Sequence, residues 1–107
     1  MTSSYNTSNP LTAGSIYPPS LTISDSVLNY TNYYIEISSD QPCKIYVYQC
    51  TPVGVDKSTY IQTTYSYSGN GITSFFVNKL TCSFIGFQVQ NNSLSAQTFL
   101  NFSVVYK

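Results

Sequence analysis

From Leu21 to the C-terminus, apolar and polar residues alternate with a period of two, in short runs rich in Val, Ile, Tyr, Phe and Thr. Turn residues break these runs roughly every eight to twelve positions, the spacing of a small all-β domain. The pattern predicts strands near 20–24, 32–38, 43–50, 58–66, 73–78, 82–90 and 97–106. No segment carries the helical period, so these strands predict one antiparallel all-β sandwich over residues 20–107, jelly-roll or immunoglobulin-like in topology.

Parity assigns the faces, because successive side chains of a strand point to opposite sides. Tyr33, Ile35 and Ile37 share a face while Glu36 points the other way. Ile45 and Val47 oppose Lys44, Tyr46 and Tyr48; Ile85, Phe87 and Val89 oppose Phe84, Gly86, Gln88 and Gln90. Leu100, Phe102, Val104 and Tyr106 form the apolar face of the last strand. These apolar sets are the expected core, and burying one side chain such as Ile35 or Phe87 contributes roughly 1.5–3 kcal/mol.

Turn chemistry fits between the runs. Ser39-Asp40-Gln41-Pro42 closes one link, Thr51-Pro52-Val53-Gly54 opens another, and Ser68-Gly69-Asn70-Gly71 offers two positions that tolerate positive φ. Asn91-Asn92-Ser93 reads as a short hairpin loop between the last two strands. Residues 1–19 differ from all of this. Ser, Thr and Asn dominate, and Pro10, Pro18 and Pro19 interrupt regular pairing, so the segment reads as a flexible arm with Leu11, Ile16 and Tyr17 as its anchors.

Composition changes the picture at the surface. Four Lys and four acids are the only charged side chains among 107 residues, there is no Arg or His, and the net charge is zero. Ser, Thr, Asn, Gln and Tyr must therefore cover the outside, without the charge repulsion that keeps monomers apart. Without His there is no imidazole base or ligand, and without Arg no bidentate clamp for phosphate or carboxylate. Asp25, Glu36, Asp40 and Asp56 fall in or near turns or on an outer face, at no spacing that guarantees a shared site. Four dispersed Lys make no basic stripe for nucleic acid. The expectation is a non-enzyme with no cofactor, no metal, no nucleic-acid partner and no membrane insertion. Asp40 or Asp56 in a loop remains as the weakest of calcium ligands.

Cys43, Cys50 and Cys82 lack zinc-site spacing. Cys43 and Cys50 stand at opposite ends of one predicted strand, roughly 23 Å apart, too far to bridge. Free thiols are expected, with a bridge from Cys82 open in an oxidising environment. The first ten residues show neither a basic run nor an apolar stretch, which predicts no secretory signal and a reducing compartment. The Asn-x-Ser/Thr sequons at Asn6, Asn29, Asn91 and Asn101 are then chance matches in a chain this rich in those residues.

The tyrosines, 11 in number, are what remains. Tyr30, Tyr33 and Tyr34 cluster at the start of one strand, Tyr46 and Tyr48 share the outer face of the next, and Tyr60, Tyr65 and Tyr67 line a third. Tyr has high β propensity and pairs well across strands, which alone explains many of them. A Tyr-rich, charge-poor face also matches the composition of protein interfaces, and the same face could stack on sugar rings. Tyr17, Tyr30, Tyr34, Tyr46, Tyr48, Tyr65 and Tyr67 are the candidate interface residues.

The run Tyr34-Ile35-Glu36-Ile37-Ser38-Ser39-Asp40-Gln41 is followed by a polar turn and Cys43-Lys44-Ile45-Tyr46-Val47-Tyr48-Gln49-Cys50. Later come Phe84-Ile85-Gly86-Phe87-Gln88-Val89-Gln90-Asn91-Asn92-Ser93 and Gln97-Thr98-Phe99-Leu100. This order resembles the small β-sandwich, jelly-roll-like modules of virion structural proteins, especially minor capsid proteins of large DNA viruses. Such modules often carry an Arg where Gly86-Phe87 stands here, and a Ser-x-Asp-Gly turn where this chain has Cys50-Thr51-Pro52-Val53-Gly54. The resemblance implies a minor capsid or capsid-associated subunit in the virion, assembled in the host cytoplasm, with capsid proteins as partners: its own copies and a major capsid protein. The alternative is a carbohydrate-binding or attachment module with a glycan partner held by exposed tyrosines.

Overall fold

The computed structural model describes residues 3–50 and 60–107. Among the described residues, eight antiparallel strands form two sheets: β1 (Ile16–Tyr17), β2 (Asp25–Ser26), β3 (Asn32–Ser39), β4 (Cys43–Cys50), β5 (Ile61–Tyr67), β6 (Ser74–Lys79), β7 (Phe84–Asn91) and β8 (Leu100–Tyr106). One sheet runs β6-β3-β8. The other runs β5-β4-β7, with β1 and β2 both pairing to the far edge of β7. The protein is thus an all-β sandwich, as the alternation predicts.

The core is the set that parity selects. Tyr33, Ile35 and Ile37 of β3, Ile45 and Val47 of β4, Ile85, Phe87 and Val89 of β7, and Leu100, Phe102, Val104 and Tyr106 of β8 are all buried between the sheets. Tyr33 and Tyr106 both pack on Phe87, the first edge-on at 5.8 Å and the second stacked at 6.3 Å. Gly69 and Gly71 take φ of 76° and 79° between β5 and β6, the left-handed backbone expected there.

Three sequence expectations are corrected. Residues 20–24 form no strand; the pairing falls on either side, at β1 and β2. Between those two short strands the chain leaves the edge of β7 and laps over its outer face at Gly86, where a Cβ would lie 2.2 Å from the Thr22 carbonyl oxygen. A lap at that distance requires glycine beneath it. Second, Asn91-Asn92-Ser93 is not the turn of a hairpin, because β7 and β8 belong to different sheets. Asn91 instead donates from Nδ2 to the carbonyls of Leu11, Thr12 and Ser95, which ties the crossover to the N-terminal segment. Third, the last two runs begin later than expected, at Phe84 and Leu100. The turn at 51–54 and the start of the 58–66 run lie outside the described residues.

Residues 3–19, read from sequence as an arm, run along the sandwich. Ser3 N donates to Val104 O at 2.8 Å, and Thr7 forms an antiparallel bridge with Phe102, so the segment lines the free edge of β8. Its deepest anchor is Tyr5, 3% exposed and edge-on to Phe87 at 5.8 Å. The expected anchors Leu11 and Tyr17 are only partly buried against the same core.

Candidate interaction surface

The two outer faces of the sandwich differ in what covers them. On the β5-β4-β7 sheet, Tyr46 and Tyr48 stand side by side, ring centroids 6.5 Å apart and 26° between planes. Their hydroxyls donate to Gln90 and Gln88 on β7. Those glutamines turn their amides to the N-terminal segment, Gln88 to Pro18 O at 3.0 Å and Gln90 to Gly14 O at 3.3 Å. Ile23 and Leu21 then pack onto Tyr48, Tyr46 and Phe84 as a second, smaller apolar cluster. Tyr60 closes edge-on over Tyr48 at 5.0 Å, leaving it 7% exposed, and burial followed by the neighbouring Tyr60 and Tyr46 raises the Tyr48 phenol.

The outer face of the β6-β3-β8 sheet has no such lid among the described residues. The register sets Phe75 beside Glu36 and Val77 beside Tyr34, with Ser103 and Val105 on the far side of β3. Phe75 and Val77 remain 67% and 53% exposed. Tyr34 and Val105 are half-buried, and the Lys107 ammonium lies 5.3 Å from the Tyr34 ring centre, a cation–π contact. Tyr34, Phe75, Ser103 and Val105 border a shallow groove of about 300 Å³ whose floor is apolar and whose charged groups are Glu36 and Lys107.

The seven tyrosines expected at an interface therefore separate. Tyr34 lies on this bare face, and Tyr46 lies half-buried on the opposite one. Tyr48 is covered. Tyr17 packs against the core from β1, and Tyr30 leans on Tyr106 at 6.1 Å. Tyr65 and Tyr67 face inward, which corrects their reading as surface residues of β5. The Tyr65 hydroxyl meets that of Tyr33 at 2.7 Å, and burial, then the Tyr65 hydroxyl, pushes the Tyr33 phenol far above its ordinary range. Tyr67 is 3% exposed and its hydroxyl donates to Ile72 O at 2.8 Å while accepting from Ser39 N at 3.2 Å. Sequence reasoning passed over Phe75 and Val77. Their signal is the run Phe75-Phe76-Val77, three consecutive apolar residues that a pleated strand cannot turn to one side.

The described acids other than Glu36 do structural work. Asp25, buried between sheet and segment, accepts from Ser4 N at 3.0 Å, from the Ser4 hydroxyl and from the Tyr106 hydroxyl at 2.6 Å. Burial, then the Asp25 carboxylate, raises the Tyr106 phenol strongly. Asp40 accepts from Thr98 N and Thr98 Oγ1, both at 2.9 Å; desolvation opposes these bonds, but they hold its carboxyl below the usual range. Asp56 lies outside the described residues. Cys43 is buried and receives Gln97 Nε2 at 3.1 Å, and burial pushes its thiol up to about 11, the opposite of an activated nucleophile. Among the described residues no three His, Cys, Asp or Glu side chains group as a metal site, and no helix is long and apolar enough to cross a membrane.

No protein-family model matches the chain, and no curated protein matches it. The geometry alone defines the class: an all-β sandwich with one outer face lapped by its N-terminal segment and one that, among the described residues, has no lid and carries an exposed apolar strip at Phe75 and Val77.

Proposed function

We propose that this chain is a non-enzymatic structural subunit of a virus particle, a minor capsid or capsid-associated protein assembled in the host cytoplasm. It works by laying one face against neighbouring capsid proteins. The observation that carries the contact role is the exposed Phe75–Val77 strip on a strand at the edge of its sheet. Apolar side chains held in water by a regular strand are a standing driving force for burial, and patches of this kind mark contact sites. The viral setting rests on the resemblance carried by residues 34–41, 43–50, 84–93 and 97–100. The glycan reading has less support, because it needs two accessible coplanar rings and Tyr48, half of the stacked pair, is 7% exposed.

The test is quantitative mass spectrometry of purified particles, combined with amine-reactive cross-linking. The expected result is a constant ratio of this chain to the major capsid protein, with links from Lys79 or Lys107 to other particle proteins. A chain confined to the soluble fraction of the infected cell overturns the proposal.

A further inference from the structure

β6 pairs with β3 on one side, and among the described residues nothing pairs with its other side. Leu80 N donates to Thr31 O at 2.8 Å, which fixes the phase of the ladder. In that phase Ser74, Phe76 and Asn78 exchange hydrogen bonds with Ile37, Ile35 and Tyr33. Both backbone groups of a strand residue point the same way, and the direction alternates along the chain. The N–H and C=O groups of Phe75 and Val77 therefore point out of the sheet edge, as do those of Lys79, whose N–H donates to the Asn78 side-chain Oδ1 at 2.8 Å. The same three residues carry their side chains on the bare outer face, and all three are exposed.

We propose that this edge is a self-pairing site: β6 joins β6 of a second copy, antiparallel, about a two-fold axis through Val77 perpendicular to the sheet. The three-stranded sheet then continues across the axis as six strands. The proposal rests on the reading of the chain as a contact subunit and names its first partner as another copy of itself.

The register follows from symmetry and charge. A two-fold axis perpendicular to the sheet keeps both bare faces on one side, so residues of equal parity must stand opposite each other. With the axis at Val77, Val77 meets its own copy and Phe75 meets Lys79 of the second copy, each through outward-pointing backbone groups, the Lys79 N–H exchanging the Asn78 Oδ1 for the Phe75 carbonyl. The apolar strip becomes continuous across the junction. Glu36, the one acid on this face among the described residues, stands beside Phe75. Lys79 of the second copy then lies on the far side of that same Phe75, at a Cα separation of about 10 Å from Glu36 given the usual cross-strand spacings. Extended Glu and Lys side chains close that distance over the Phe75 ring, and symmetry makes the pair twice. Within one copy neither charged group has an ion-pair partner among the described residues. Moving the axis to Phe76 keeps the parity but sets Lys79 opposite Thr73 and loses both pairs.

One six-residue strand and its flanking side chains bury less than the ~800 Å² per partner of a standard interface. The dimer is accordingly reversible, with Kd on the order of 10–100 µM, and it weakens with salt. Sedimentation equilibrium of the full chain from roughly 5 to 500 µM tests it, bracketing that Kd. A concentration-dependent monomer–dimer equilibrium is expected. Glu36→Lys and Lys79→Glu should each weaken it about tenfold, and E36K/K79E together should restore it. Val77→Pro removes an outward-pointing N–H, a change edge strands tolerate, and should abolish pairing while thermal melts at 5 µM show a folded monomer. A wild-type monomer across the whole range overturns the proposal, as does a dimer that survives Val77→Pro. Failure of the charge swap to restore pairing overturns the Val77 register. A monomer that is nonetheless a fixed component of purified particles refutes self-pairing and leaves the structural-subunit reading standing.

Discussion

Along its β7–β8 side the sandwich is closed by its own N-terminal segment, whereas along β5–β6 no described residue straps the two sheets. On the closed side, residues 3–7 line β8, β1 and β2 line β7, and Tyr5 enters between the sheets. On the open side, Tyr65 and Phe76 fill the interior, ring centroids 4.9 Å apart, and Asn78 Nδ2 reaches the Tyr65 hydroxyl at 3.3 Å. The interior there is sealed by side chains while the backbone edge is left unpaired among the described residues. Proteins commonly blunt such edges with charge. This chain, with so few charges, blunts one side with a piece of itself, and the proposed self-pairing at β6 would blunt the other.

Removing the strap's plug should produce the largest effect. Tyr5→Ala deletes a buried ring and the hydroxyl that donates to Thr22 O at 2.6 Å and accepts from Ser24 N at 3.1 Å, so a loss of about 4 kcal/mol is expected. Urea denaturation reads it; a loss under about 1 kcal/mol, the worth of a single hydrogen bond, would mean that the segment merely rests on the domain. By the same logic a truncation at residue 19 removes part of the core and is no clean way to free an arm. Next is Gly86→Ala, whose new methyl would meet the Thr22 backbone at 2.2 Å. Overpacking against a carbonyl should cost about 2–3 kcal/mol and speed hydrogen exchange at the Ser24 amide, which bonds to Tyr5. Unchanged stability and exchange would show that the lap lifts away freely.

Strand positions and inner faces were legible because period-two alternation reports directly on which side of a sheet is dry. Ile35, Val47, Phe87 and Val104 stand where parity puts them. The strap was not legible: its contacts with β7 and β8 join residues far apart in the chain, and its one local trace is Gly86, a glycine inside a strand. Tyr65 and Tyr67 were misread because a tyrosine is buried or exposed according to whether its hydroxyl finds an acceptor inside, and Tyr33 and the Ser39–Ile72 backbone supply that here. The bare face was half-legible. Three apolar residues in a row require one side to face out, but only the pairing of β6 with β3 decides that Phe76 goes in and its two neighbours stay wet.

The smallest effect should come from the open side. Phe75→Thr and Val77→Thr together keep β-branched or strand-compatible residues on β6 and remove apolar surface that contributes nothing to the monomer's own core. Their combined effect on stability should stay within about 0.5 kcal/mol, the usual range for exposed positions, or about 3 °C in Tm for a domain of this size. The melt belongs at low micromolar concentration, where self-association adds no stability by mass action. A large loss in the dilute monomer would place Phe75 and Val77 in the fold rather than on a contact surface, and the contrast between the two sides would fail at its open end. A neutral result at low concentration, with the concentration dependence of the wild-type Tm abolished, separates what holds this sandwich together from what it holds on to.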